Sequence, residues 1–118
     1  MKAYLDGIYS IDLPSGPPEL PDDPYDCWIV IQADIGPEGE QGLDIFTFYV
    51  CTVENLKRGF ESKSYQLGHH LILVERFDWE IVEDAIKSIL DKLEADNWDK
   101  LAAKINEYGE WEFDDYVE

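Results

Sequence analysis

The hydrophobic pattern of this chain changes its period at Asp78, and that change constrains the fold more than any other feature. Before it, apolar residues form short alternating or continuous runs bounded by Gly and Pro, which is typical of β-strands. After it, they recur every three or four residues, which is typical of amphipathic helices. Strands followed by helices predict an α+β fold. We expect a mostly antiparallel sheet of four or five strands, with a C-terminal helix pair packed on one face.

Four segments carry the strand pattern before the helices, and a possible fifth follows them. They are residues 3–13, 27–35, 43–53, 71–74 and part of the tail 110–118. In the first, odd-numbered Ala3, Leu5, Tyr9, Ile11 and Leu13 are predicted to share the buried face. The apolar centre of 71–74 predicts burial on both faces. Residues 36–39 predict a turn and residues 54–58 a short helical turn.

Two helices are predicted after the change of period. Asp78 is placed to cap the first, which begins at Trp79, and Asp96 or Asn97 is placed to cap the second. Gly109 lies where a helix often ends in a left-handed residue, and we predict that conformation there.

The chain has 118 residues, a length that predicts one domain over residues 1–118. Five prolines fall between Pro14 and Pro24, and proline can neither donate to a β-ladder nor continue a helix. Residues 14–26 are therefore predicted to form an exposed loop rich in Pro and Asp.

Acidic residues outnumber basic ones by 27 to nine, giving a formal net charge of -18. Basic residues outnumber acidic residues only in 45–77, with four bases against three acids. Residues 1–44 hold ten acids and one base, and residues 78–118 hold fourteen acids and four bases. Such a charge repels nucleic acids and anionic membranes and favours encounters with basic proteins. A solubility role explains the total equally well, but the concentration of acids in loops, helix faces and tail favours a basic partner.

Catalytic and metal sites lack their usual residue patterns. His69 and His70 are adjacent, so on a strand their side chains would point to opposite faces and could not easily share one metal. Cys27 and Cys51 lie in apolar runs and are predicted to be buried free thiols. We therefore predict no catalytic residues, cofactor or metal; an enzyme would need carboxylates to converge with a histidine in a deep cleft.

The first thirteen residues alternate and carry Asp6 and Asp12, so they lack the apolar segment of a secretory signal. No apolar run is long enough for a membrane span. A cytoplasmic location is expected.

Three segments resemble the immunity protein 8 family of bacterial polymorphic toxin systems: 45–52 (IFTFYVCT), 69–86 (HHLILVERFDWEIVEDAI) and 97–116 (NWDKLAAKINEYGEWEFDDY). The last contains the pattern G-x-W-E-F-x-D-Y, formed by Gly109, Trp111, Glu112, Phe113, Asp115 and Tyr116. The resemblance implies an α+β protein without enzymatic activity that binds and neutralises a co-encoded toxin domain in the producing bacterium, often in contact-dependent or related systems. Nucleases are common among such toxins.

Two acidic segments are candidates for the partner-binding surface. The first choice surrounds the last helix and the tail: Asp96, Asp99, Glu107, Glu110, Glu112, Asp114 and Asp115. The second choice is the loop group of Asp22, Asp23 and Asp26, since loops often carry function. A small acidic adaptor, inhibitor or nucleic-acid mimic outside toxin systems is the alternative function. The sequence does not distinguish a monomer from a homodimer.

Overall fold

A computed structural model describes residues 1–64 and 68–114 of the chain. It forms an α+β fold, as predicted, on a five-stranded sheet in which three strand pairs are antiparallel and one is parallel. In chain order the elements are β1 Ala3–Tyr9, β2 Trp28–Pro37, β3 Asp44–Thr52, α1 Val53–Gly59, β4 Leu71–Val74, α2 Trp79–Asp91, α3 Trp98–Ile105 and β5 Glu110–Trp111.

The sheet is ordered β1-β2-β3-β4, and β5 also pairs with β3. The pairs β1–β2, β2–β3 and β3–β5 are antiparallel, whereas β4 runs parallel to β3. Because β2 occupies one edge of β3, β4 and β5 share the other: β4 pairs with residues 49–52 and β5 with residues 46–47. The C-terminal strand thus completes the edge of the central strand.

The core lies between one face of the sheet and the helices α2 and α3. Alternate side chains of β2 and β3 supply the sheet side: Ile29, Ile31, Ala33, Ile35, Phe46, Phe48 and Val50. The helices supply Val82, Ile86, Leu101 and Ile105, each fully buried, with Trp79 and Leu90. The predicted packing of the helix pair on one face of the sheet is confirmed.

Both helices begin at the residues whose side chains can cap them. The Asp78 carboxylate accepts a hydrogen bond from Glu80 N, and the Asn97 side chain accepts one from Lys100 N. These caps satisfy amide groups that have no partner inside the helix. Of the two candidate caps for the second helix, Asn97 is the one used.

The first strand is shorter than predicted and contains a β-bulge. Leu5 and Gly7 pair with the consecutive residues Ile35 and Asp34, so Asp6 is an extra residue in the ladder. The bulge reverses the alternation beyond it: Ile8 packs against the core, whereas Tyr9 is 38% exposed. The prediction that Tyr9 and Ile11 belong to the buried face is therefore wrong, although Leu13 is buried.

Three other local predictions are wrong. The predicted end of β2 before Gly36 is wrong, because the strand continues to Pro37 and the turn predicted over 36–39 begins at Glu38. Leu73 is 51% exposed, since β4 is an edge strand with one open face. Gly109 has no left-handed backbone; it is required because a Cβ there would lie 2.6 Å from Phe48 Cε1.

The loop 14–26 is held against the start of α2 by hydrogen bonds that its carbonyl groups accept. The indole of Trp79 donates to Glu19 O at 2.7 Å, and Phe77 N donates to Pro24 O at 2.7 Å. Leu20 and Tyr25 remain exposed at 51% and 53%. No helix within the described residues has the length and apolar character needed to cross a membrane.

Candidate protein-binding surface

The sheet face opposite α2 and α3 retains large exposed side chains, and we call it the open face. Side chains alternate along a strand, and directly paired residues lie on the same face, so the register defines its members. Its side chains form rows across the strands, namely Trp28 and Leu73; Val30, Tyr49 and Leu71; Tyr9, Gln32, Thr47 and Glu110; and Asp34, Ile45 and Glu112. Cys51 has the same parity but is buried, with its thiol directed at Asn55 of α1.

One end of the open face is apolar and aromatic. Trp28 is 46% exposed and Leu73 is 51% exposed. The Trp28 and Tyr49 rings pack at a centroid distance of 5.9 Å and an interplanar angle of 35°. Such a contact fixes the indole in place while leaving much of its surface accessible, as in the aromatic anchors of protein interfaces.

The opposite end of the open face is acidic. Glu110 lies opposite Thr47, and Asp34 lies opposite Ile45. Glu112 is held beside them because its carboxylate accepts a hydrogen bond from Ile45 N at 3.1 Å. Burial raises the pKa of the Tyr9 phenol, and the negative charges of Asp34 and Glu112 raise it further. No Lys or Arg belongs to any of the rows that define this face.

Trp28 also differs from the other tryptophans in its hydrogen bonding. The indoles of Trp98 and Trp111 both donate to Asp44 Oδ2, at 2.8 and 2.9 Å, and that of Trp79 donates to Glu19 O. Within the described chain the Trp28 indole N–H has no protein acceptor. Three tryptophans thus use their indole N–H groups within the fold, and Trp28 is the exception.

Comparison with models of protein families identifies the family of this chain. The family model described as Immunity protein 8 matches residues 10–116, nearly the whole chain. The chain belongs to the immunity protein 8 family. Neither the curated proteins nor the solved structures contain a match.

In this immunity protein 8 family member, the acids of the first-choice site fall into two groups. Asp96 and Asp99 lie at the start of α3, and Asp96 lines a shallow depression of about 340 Å³ with Lys100 and Lys104. Glu107, Glu110, Glu112 and Asp114 follow the end of that helix, which spans eight residues or about 12 Å. All six are exposed, and Asp115 lies outside the described residues.

Only two of the four acids that follow α3 belong to the open face. Glu110 and Glu112 belong to the open face, whereas Asp114 accepts a hydrogen bond from the Asn106 side chain at 2.9 Å. The side-chain oxygen of Asn106, Oδ1, accepts a hydrogen bond from Trp111 N at 2.8 Å. Asp114 therefore helps to fix the turn that leads into and out of β5.

The loop acids of the second-choice site have different roles. Asp22 is exposed, and Asp23 accepts a hydrogen bond from Tyr25 N within the loop. Asp26 forms an ion pair with Arg58 at 2.9 Å and accepts a hydrogen bond from Asn55. Asp26 thus connects the loop to α1, and its charge is offset by Arg58.

His69 and His70 do not lie on a strand, contrary to the prediction. They precede β4, where His70 adopts a φ of 56°, and their rings are 3.8 Å apart rather than on opposite faces. His70 is buried, with Nε2 2.7 Å from Asn106 O. No group of three or more metal-binding side chains occurs among the described residues.

The cysteines are buried and free, as predicted. Burial raises the pKa of the Cys27 thiol to about 11, with further contributions from the charges of Asp23 and Asp26. Burial also raises the pKa of Cys51. Both thiols are therefore protonated and poorly nucleophilic at neutral pH.

Proposed function

We propose that this immunity protein 8 family member binds and neutralises a cognate toxin domain encoded beside it. The encounter would occur in the cytoplasm of the producing bacterium, before the toxin damages the cell that makes it. Inhibition would result from binding alone, with no chemical step. Family membership supports the general role, and the charge of the folded surface supports a basic toxin domain such as a nuclease.

The observation that carries this proposal is the excess of acidic side chains without a basic partner. Ion pairs among the described residues engage only Glu54, Asp26, Asp78 and Glu83. The chain has 27 acidic residues and a net charge of -18, so internal pairing neutralises little of its field. An uncompensated field of this sign attracts a basic domain over about 10 Å at 0.1 M salt.

A nuclease domain suits this field because it must bind phosphates with Lys and Arg. Complementary charge raises association rate constants toward about 10⁸ to 10⁹ M⁻¹s⁻¹ at low salt, against about 10⁵ to 10⁶ for neutral surfaces. Fast capture is useful in an antidote, because free toxin damages the cell until it is bound. A bound acidic protein would also compete directly with nucleic acid for the same cations.

Co-expression tests the proposal. The toxin domain encoded by the neighbouring gene is induced in a sensitive bacterium with or without this protein, and a non-cognate toxin provides the specificity control. We expect growth to be restored only with the cognate toxin, and a catalytically inactive form of that toxin to co-elute with the protein on a sizing column. Growth arrest in the presence of the protein, together with separate elution, would contradict the proposal.

A further inference from the structure

We propose that the open face is the surface that docks the toxin, and that the toxin meets it with apolar side chains flanked by Lys or Arg. This inference rests on the proposed function and adds to it the location of the contact. It differs from the prediction that the acids around α3 form the interface, because among the described members of that set only Glu110 and Glu112 belong to the open face.

The apolar end supplies the first argument. Trp28 and Leu73, about half exposed, lie on either side of the buried Cys51 in one row of the sheet. The adjacent row adds the half-buried Val30, Tyr49 and Leu71, so this end of the face is apolar over two rows. Contiguous apolar surface of this kind marks interaction sites in soluble proteins. The indole N–H of Trp28, which finds no acceptor in the described chain, is available to a carbonyl or hydroxyl of the partner. Trp28 therefore has the two properties of an interface anchor, apolar area and an unused polar group.

The acidic end supplies the second argument. Asp34, Glu110 and Glu112 lie together without a basic residue in any row of the open face. The helical side differs, because Lys87, Lys92, Lys100 and Lys104 alternate there with the acids, and Lys87 pairs with Glu83 at 2.9 Å. A basic partner therefore meets rows with acids and no bases on the open face, and mixed charges on the helical side. Lys57 and Arg58 of α1, the helix that contacts Cys51 at the apolar end, are paired with Glu54 and Asp26. Charge complementarity thus selects the open face and selects a cationic occupant.

A pair of charge reversals tests the acidic end. Glu110→Lys on the open face and Asp99→Lys on α3 change the net charge equally, and both side chains are exposed. The probe is the catalytically inactive toxin domain encoded by the neighbouring gene. We expect Glu110→Lys to raise the Kd about tenfold or more and Asp99→Lys to raise it no more than about threefold. Equal effects of the two variants would show that only total charge matters and would overturn the docking surface.

A second pair tests the apolar end with matched exposure. Leu73 on the open face and Leu20 in the loop 14–26 are each 51% exposed. We expect Leu73→Thr to raise the Kd severalfold, Trp28→Thr to raise it about thirtyfold, and Leu20→Thr to leave it unchanged, because truncated anchors dominate interface energetics. A large effect of Leu20→Thr with none at Leu73 or Trp28 would place the contact on the loop and overturn the inference.

Quenching of Trp28 in the unmodified protein provides a readout that does not depend on variants folding. Trp28 has the most exposed indole, whereas Trp79 is 6% exposed and Trp98 and Trp111 are partly buried. Addition of the inactive toxin should therefore remove most of the quenching of tryptophan fluorescence by acrylamide. Unchanged quenching in a saturated complex would overturn the inference and leave the proposed function standing. Failure of the unmodified protein to bind the toxin would overturn both.

Discussion

Gly109 lies against the edge of the Phe48 ring, at the point where the chain turns from α3 into β5. A Cβ at this position would lie 2.6 Å from Cε1 and 2.7 Å from Cε2 of that ring, distances that side-chain carbons do not tolerate. Phe48 is fully buried in the middle of β3, so its ring has little room to move. Glycine is thus required at position 109 because of its contact with the core, and not because of its backbone conformation.

Replacement of Gly109 by Ala should therefore destabilise the fold. We expect the free energy of unfolding to fall by about 1–3 kcal/mol, the range seen when a packed core is overfilled. Urea unfolding followed by circular dichroism measures the change. Gly7→Ala is the matched control, because a Cβ at Gly7 has no atom within 4 Å. Equal stability of the two variants would contradict this account of Gly109.

The double indole acceptor at Asp44 gives a second prediction. Asp44 Oδ2 accepts from both Trp98 and Trp111, whose rings pack on Phe46 at centroid distances of 6.4 Å. Asp44→Ala leaves two partly buried donors without a protein acceptor and should lower the free energy of unfolding by about 1–3 kcal/mol. Asp44→Asn keeps one carbonyl oxygen and should cost less. The exposed Asp22→Ala variant should match the unmodified protein in the same unfolding assay.

Stability should decrease in alkaline solution through Cys27. Its pKa rises from an ordinary value of 9.0 to about 11 in the folded protein, so between these values the folded state holds a proton that the unfolded state has lost. The stabilisation is complete below about pH 9 and is lost as the pH rises toward 11. Urea unfolding at pH 8, 9, 10 and 11 measures the decline. Cys27→Ala should show a shallower decline, and identical slopes would contradict the assignment.

Association with the toxin should depend on salt mainly through the on-rate. Raising the ionic strength from 0.1 to 1 M shortens the Debye length from about 10 to about 3 Å, which removes long-range steering before it weakens close contacts. We expect the association rate constant to fall about tenfold or more and the dissociation rate constant to change less. Stopped-flow or surface-based kinetics measures both. An association rate that does not change with salt would contradict electrostatic capture.

The parts of the fold that depend on local pattern were predictable from the sequence. The strand segments of β2 and β3, the helical spacing in α2 and α3 and the cap Asp78 each follow from residues within one segment. The same local pattern narrowed the cap of α3 to Asp96 or Asn97. The bulge at Asp6 was not predictable, because it becomes visible only when β1 is paired with β2. The contact of Gly109 with Phe48 likewise joins residues far apart in the chain.

The candidate site was predictable only in its charge. The excess of acids is a property of composition, and the exposure of Glu110 and Glu112 agrees with their choice as candidates. The open face depends on register, since Tyr9, Trp28 and Tyr49 come to share one face only after three strands pair. One sequence signal could have indicated it: even-numbered Trp28 and Val30 alternate with the buried odd-numbered isoleucines of β2.

The bulge in β1 also determines where this chain can change its length. Since Leu5 and Gly7 already face consecutive residues of β2, loss of Asp6 would leave every other pairing partner in β1 unchanged. Loss of one residue within β2 would instead exchange the two faces of that strand beyond the deletion. Residue 6 is thus a site in the sheet where natural variation by single-residue deletion is compatible with both the core and the open face.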